Sequence, residues 1–333
     1  MSSKRQHQLS LAALACLLLV LPGCSLDDNN VACPGVVAGS PISAPAWSPP
    51  GDLILFNLVP LIRTDHYDPQ CNVGEQVFDL ASSGVYGYSL GDHKTRRLLA
   101  YTVGEPSFSS AGDRMAFEQF GDIYTIGFTG SDFDTLDIRR LTYNGANYGP
   151  TWSPNGNTIA YVHVGCNGAT EGMDSTSCGV QVMNVDGGSK RRVAYGTHPS
   201  WFPDSQHLAY VGLWDNVFVM GLTDSVNAPV TKLKSNSGIT HYGVFVSPDG
   251  STIALTRQSR NAPVELWTMA PDGTGFRRIT PDSVLAPVCW SPDSREIVYV
   301  RHRSDDWTDQ TGTLWTVNLA TGKKRLINSG KVP

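Results

Sequence analysis

Two side chains able to do acid–base chemistry share one local context: Glu105 directly precedes Pro106, and His198 directly precedes Pro199. His241 lies near the corresponding place further along the chain. A carboxyl and an imidazole are the usual proton donors and acceptors of a site, and both can ligate a metal. Other contact-making side chains fall into three stretches: Arg63, Asp65, His66, Tyr67 and Asp68; Glu171 and Asp174; and Asp305, Asp306, Trp307 and Asp309. None of these spacings matches a dedicated metal site. The expected use is therefore a polar binding face formed by Asp65, His66, Tyr67, Glu105, His198, His241, Asp305, Asp306 and Trp307, without catalytic residue, metal or cofactor.

Two motif matches carry no chemistry. Gly87-Tyr88-Ser89-Leu90-Gly91 satisfies G-x-S-x-G, but a nucleophile elbow needs a strand–turn–helix setting, and this stretch reads as a strand running into a hairpin turn. Asp132, Asp134 and Asp137 form an acidic cluster, read here as part of a loop, without the glycine and terminal glutamate of a calcium loop.

The cysteines suit an oxidising compartment. Cys166 and Cys178 flank one short insertion and are expected to pair, which leaves Cys33 and Cys71 for a second bridge. Cys289 follows apolar residues beside Trp290 and reads as a buried free thiol.

The N-terminus has the anatomy of a targeting segment: Lys4 and Arg5, then an apolar stretch from Leu11 to Leu21 that is too short to span a bilayer. Leu21-Pro22-Gly23-Cys24 resembles the bacterial lipobox, which implies cleavage before Cys24 and lipidation of its thiol. Ser25 in the next position implies sorting to the outer membrane. Residues 1–23 are then a lipoprotein signal peptide, 24–40 a lipidated N-terminus and linker, and 41–333 the folded unit. Removing Lys4 and Arg5 leaves 23 basic against 30 acidic side chains, so nucleic acid is excluded as a partner and the membrane is met only through the lipid.

What must position these residues is a repeat. Six segments align without gaps, starting at Trp47, Phe108, Trp152, Trp201, Val246 and Trp290. Each runs through a polar turn such as Pro248-Asp249-Gly250-Ser251 into an apolar triplet such as Ile253-Ala254-Leu255. A third strand and a short basic fourth, such as Arg277-Arg278-Ile279, complete every unit. The cationic pairs read as protection of an exposed sheet edge. A four-stranded unit of this size cannot bury both faces alone, and radial stacking is the solution, so an all-β, six-bladed β-propeller with four antiparallel strands per blade is expected.

Trp-Ser-Pro-Asp-Gly, Ile-Ala-Tyr, Leu-Trp-Thr-Met-x-Pro-Asp-Gly and Arg-Arg-Ile-Thr resemble the propeller repeat of TolB, here from about Ser43 to Asn328 and without TolB's N-terminal α/β domain. The resemblance implies a cell-envelope protein, periplasmic or surface-exposed, whose partner is an envelope protein or peptide, a peptidoglycan-associated lipoprotein among the candidates. Related propeller lyases hold a metal with histidines at the channel mouth, which makes a metal-dependent lyase the alternative. In this topology the loops between second and third strands and the connections between blades share one face, called face one below. That face is the expected site of a non-enzymatic scaffold gripping a protein, peptide or envelope polymer.

Cys24→Ser should abolish fatty-acid labelling of the mature protein and its partitioning into detergent, because each buried acyl methylene contributes about 0.8 kcal/mol to membrane attachment. Retained labelling would show that Cys24 is not the lipidated residue.

Overall fold

The computed structural model describes residues 42–68, 73–164, 178–212, 216–223, 231–234, 239–260, 262–302 and 312–329; for 61–68, 73–77 and 231–234 it describes the backbone. They build six four-stranded antiparallel sheets around a central channel. Blade 1 contains β1 (Ile42–Trp47), β2 (Leu53–Leu58), β5 (Gly84–Ser89) and β6 (Thr95–Leu99). Its long second-to-third connection forms a separate hairpin, β3 (Leu61–Asp68) with β4 (Val73–Phe78). Blade 2 contains β7 (Gly104–Phe108), β8 (Arg114–Gln119), β9 (Asp122–Phe128) and β10 (Phe133–Arg140); blade 3 contains β11 (Asn147–Trp152), β12 (Thr158–His163), β13 (Gly179–Asn184) and β14 (Arg191–Ala194). Blade 4 contains β15 (Gly196–Trp201), β16 (His207–Gly212), β17 (Val217–Gly221) and β18 (Thr231–Lys234); blade 5 contains β19 (Ile239–Val246), β20 (Ile253–Ser259), β21 (Val264–Met269) and β22 (Arg277–Thr280). Blade 6 contains β23 (Ser283–Trp290), β24 (Glu296–His302), β25 (Thr313–Asn318) and β26 (Lys324–Asn328).

The polar turn after each inner strand is held by its own side chains. Ser247 donates to Asp249 Oδ1 (2.6 Å) and accepts from Thr252 N–H (3.0 Å), while Gly250 N–H reaches Ser247 O (2.8 Å). Ser153 with Asn155 and Ser291 with Asp293 repeat the pattern. In blade 4, where Phe202 replaces the serine, Asp204 alone accepts from the N–H groups of Gln206 and His207. A Cβ added to Gly250 would come within 2.9 Å of Pro203 in the preceding turn, so glycine lets neighbouring turns close the far end of the ring.

Packing between blades explains the small residue at the centre of the apolar triplets. Ala116 shares a core with Trp152 of the next blade, Ala160 with Trp201, and Ala254 with Trp290. A bulky ring fits where the preceding blade leaves room. Each blade takes its four strands from one stretch of chain, in blade 1 with the β3–β4 hairpin inserted between the second and third, so among the described residues no strand is borrowed to close the ring. Closure comes from side chains: Ile42, Trp47, Ile54 and Phe56 of blade 1 pack with Val298, Val300 and Leu314 of blade 6.

Two details differ from the sequence reading, the acidic cluster and Cys289. Asp134 and Asp137 are not in a loop but on β10, where Asp137 pairs with Arg114 and Arg139, and Asp132 just before it pairs with Arg96 of blade 1. The tight turn of blade 2, between β8 and β9, is Phe120-Gly121. Cys289 is not sealed in the core but partly accessible on the channel wall.

Trp290 is buried, and its indole N–H donates to Phe245 O of blade 5 at 2.9 Å. Trp290→Ala should cost about 3–5 kcal/mol of unfolding free energy, by the precedent of large core truncations. Trp290→Phe, which keeps most of the volume and loses the bond, should cost roughly 1–2 kcal/mol. Equal losses in chemical denaturation would show that packing at this seam is unimportant.

Candidate functional site

The inner strand of each blade has neighbours on one side only; its other edge faces the channel. Proline, which lacks an N–H, is tolerated on such an edge and at bulges. In five blades the inner strand breaks register at an X-Pro pair: Ala44-Pro45, Glu105-Pro106, Gly149-Pro150, His198-Pro199 and, in blade 6, Ala286-Pro287. In blades 1 to 4 the residue before proline is left-handed, with φ of 49°, 39°, 56° and 51°. Such a backbone suits Gly149. It is strained for glutamate and histidine, and strain of this kind collects at functional positions.

Glu105 and His198 thus hold equivalent positions two blades apart, and both line one cavity of about 400 Å³ that fills the channel. Its walls are mostly apolar, with Trp47, Phe108, Trp152 and Trp290 among them. Glu105 extends toward blade 3: a Cβ added to Gly149 would lie 2.5 Å from its Oε2, so glycine there is what makes room for the carboxyl. Among the described residues no hydrogen bond or ion pair engages that carboxyl. Water reaches it through the channel, yet protein encloses it closely enough that desolvation, aided by the nearby Glu118 carboxylate, raises its pKa to about 7. Glu118, buried on β8, is pushed up mainly by desolvation while its Oε1 accepts from Gly121 N–H at 2.6 Å. His198 lies 3.0 Å from Thr197 Oγ1 through Nδ1, and burial lowers its pKa, so the ring is neutral at pH 7. Cys289 closes the wall at the seam of blades 6 and 1: its sulfur accepts from Trp47 N–H at 3.3 Å, and burial pushes the thiol up to about 11.

The other expected site residues are not gathered here. His241 is buried on β19 beside Arg257 of β20 and does not line the cavity, so a shared metal site with His198 has no support in this geometry. Among the described residues no group of three metal-ligating side chains occurs. Asp65, His66 and Tyr67 lie on β3 of the blade 1 hairpin. Asp305, Asp306 and Trp307 lie outside the described residues, as do Cys24, Cys33, Cys71 and Cys166. Cys178 immediately precedes β13. The sequence reading missed the aromatic lining of the channel, although the repeated Trp and Phe positions carried that signal.

No family model matches the chain. It is 31% identical over 109 residues to an uncharacterized protein of Agrobacterium fabrum, covering 32% of this chain and 36% of that protein. It is 28% identical over 148 residues to dipeptidyl-peptidase 5 of Porphyromonas gingivalis (40% of this chain, 21% of that protein). A third match, 34% identical over 90 residues, is to the Tol-Pal system protein TolB of Anaeromyxobacter dehalogenans (26% and 19%). The matches therefore span little more than a third, or only about a fifth, of these curated relatives. Among solved structures, TolB from Acinetobacter baumannii superposes with a TM-score of 0.59 at 14% identity, over 82% of this chain and 62% of that one. A gluconolactonase from Xanthomonas campestris gives 0.54 at 13% identity (78% and 82%), and an oligogalacturonate lyase in complex with manganese gives 0.50 at 13% identity (84% and 74%). At such identities these structures show the fold alone: a TolB-like six-bladed propeller.

One expectation falls here. The chain was expected not to be an enzyme, because a propeller without a recognisable catalytic set reads as a scaffold. The gluconolactonase and the lyase share this fold over 82% and 74% of their own chains, so a propeller with little added to it is an architecture in which enzymes work.

The raised pKa of Glu105 has a defined consequence for stability. The unfolded carboxyl ionises near 4.5 and the folded one near 7, so between these values the folded state holds the extra proton. Its stabilising effect is complete below about pH 4.5 and is lost as pH rises through 7. Glu105→Gln should therefore gain stability relative to wild type between pH 5 and pH 8, read as a difference in melting temperature at each pH. Parallel curves for the two proteins would show that Glu105 titrates normally.

Proposed function

We propose that this chain is a cell-envelope propeller, carried on a lipidated Cys24 at the outer membrane, that binds a segment of an envelope protein at the face-one mouth of its channel. In this reading residues 1–23 are removed, 24–40 form the anchor and linker, and the propeller extends through the remaining chain. The observation that carries it is Glu105: a carboxyl on a strained backbone, directed into an apolar cavity, with no protein partner among the described residues. Burying such a group without a partner is costly. A ligand donor, such as a basic side chain or an amine, would supply the missing hydrogen bonds and favour the ionised carboxylate. The likeness of the repeat to TolB, a Tol-Pal system protein, supports an envelope protein as the partner class.

A second reading is favoured by the titration of the two wall residues. A carboxyl with a pKa of about 7 and a neutral imidazole in one cavity are an acid–base pair suited to catalysis near neutrality. In that reading the ligand is a substrate.

A photo-crosslinking residue at Ala44, the position of blade 1 equivalent to Glu105, tests both in cells. The expected result is a cross-linked envelope protein or peptide whose yield falls at least tenfold in Glu105→Gln. A yield unaffected by that change would overturn the channel-mouth reading. Recovery of a cleaved or otherwise altered ligand with wild type, but not with Glu105→Gln, would decide for the enzyme.

A further inference from the structure

Exposed apolar side chains are spread unevenly over this ring. Among the described residues nine large hydrophobic side chains are exposed, and six of them lie on face one: Leu80, Phe120, Tyr143, Tyr148, Val164 and Tyr195. The other three, Leu136, Ile138 and Leu326, lie on outer strands, and none lies in a turn of face two. The six follow the rim of blades 1 to 3, from the connection after β4 to the connection after β14.

At one of these positions the fold itself gains nothing. Phe120 and Gly121 form the turn between β8 and β9 with φ of 53° and 77°, a type I′ pair that favours asparagine, aspartate or glycine at the first position. An aromatic there strains the backbone and, at 67% exposure, gains little from burial.

Charge follows the same asymmetry. In blades 1 to 3 the second arginine of each basic pair leans to face one. Arg97 donates to Ala81 O (2.7 Å), Arg140 donates to Thr142 O (2.9 Å) and lies 4.8 Å from the Tyr143 ring, and Arg192 lies 4.1 Å from the Tyr195 ring. The described carboxylates nearby are buried or engaged: Glu118 is buried, Asp122 is buried and paired with Arg140, and Asp79 accepts from Ser82 N–H (3.1 Å). This rim therefore shows solvent its aromatic rings and guanidinium groups.

Face two differs. The turns between first and second strands carry Asp52, Asp113, Asp204, Asp249 and Asp293 against one cation, Arg295. In the turns between third and fourth strands Asp92, Asp186 and Asp272 are matched in number by Lys94, Lys190 and Lys323, and Asp132 pairs with Arg96.

The chain also fixes which face an anchor would hold. β1 begins at Ile42 and runs from face one to face two, so the chain leading from Cys24 joins the propeller on face one. A lipid on Cys24 draws that face toward the bilayer.

We propose that the face-one rim of blades 1 to 3 is a membrane-contact surface, with Phe120 and the tyrosines at headgroup depth and Arg97, Arg140 and Arg192 against the phosphates of an anionic phospholipid bilayer. Aromatic rings favour that level, and cations beside them add attraction to anionic lipid. Among the described residues face one of blades 5 and 6 exposes no large hydrophobic side chain, so the disc tilts and leaves that side of the channel mouth open to a ligand. This rests on the lipidated Cys24 of the reading above and not on Glu105.

The test uses the full lipidated chain, purified from membranes and incorporated into vesicles of phosphatidylethanolamine and phosphatidylglycerol. A fluorescent amino acid replaces Val164 on face one or Lys323, an exposed residue of face two, and a lipid with a nitroxide headgroup is the quencher. The protein should float with the vesicles, and quenching at Val164 should exceed that at Lys323 at least threefold. Phe120→Asn and Tyr148→Ser should each lower quenching at Val164 at least twofold. Phe120→Asn suits the turn and should melt at or above the wild-type temperature, so that loss of quenching is not loss of fold. Protein that does not float would overturn the lipid anchor and this proposal together. Flotation with equal quenching at the two positions, or with quenching at Val164 that neither variant changes, would overturn this proposal and leave the anchor standing. In cells a diazirine-bearing residue at Val164 should form phospholipid adducts; a protein adduct in their place would show that a partner protein, not the bilayer, covers the rim.

Discussion

Everything in this ring depends on how one blade seats the next. Three aromatics at the ends of inner strands pack where the preceding blade offers alanine: Trp152 with Ala116, Trp201 with Ala160 and Trp290 with Ala254. Hydrogen bonds fix the same joints. Trp152 N–H donates to Ser107 Oγ, Val246 N–H to Ser200 Oγ and Trp47 N–H to Cys289 Sγ. At two further joints the indole makes the bond: Trp201 reaches Thr151 O and Trp290 reaches Phe245 O. The residue just before the strand end is thus a coupling point at five joints, and at three of them its side chain accepts the bond, which accounts for Ser107, Ser200 and Cys289 in a channel wall.

The same constraint frees the residue two places earlier. Coupling uses the end of the inner strand, and the edge facing the channel has no strand to pair with, so the bulge at the X-Pro step can carry almost any side chain. Ala44 and Gly149 are the undemanding choices at this ring position. Glu105 and His198 are not: each combines a left-handed backbone with a titratable group held away from bulk water. Local strain without a structural return is where a fold departs from its own rules, and such departures mark function.

Much of this was legible in the sequence. Gap-free alignment of six segments encodes the blades because the joint between them demands the same turn and the same aromatic each time. The shared position of Glu105 and His198 follows from that register. Other features had no periodic signal. The hairpin β3–β4 lies in an insertion, outside the repeat. Asp137 reads as a loop residue because β10 is charged and bulged, its carboxylate paired to Arg114 across the sheet. Phe120 was hidden by its neighbour: Gly121 announces a turn, but only backbone angles reveal that an aromatic occupies the position asparagine would fill.

Binding and catalysis begin from the same atoms in this channel. An enclosed carboxyl with no partner is a demand for a donor, and whichever molecule supplies it sets the charge state of Glu105. A basic group would draw the proton off and leave an ion pair in an apolar cavity, which favours a long-lived complex. A neutral hydroxyl or carbonyl would leave the proton in place, and the carboxyl could then pass it to the ligand. The distinction between scaffold and enzyme is therefore not written in the propeller, which supports either. It lies in whether the ligand brings its own positive charge to Glu105.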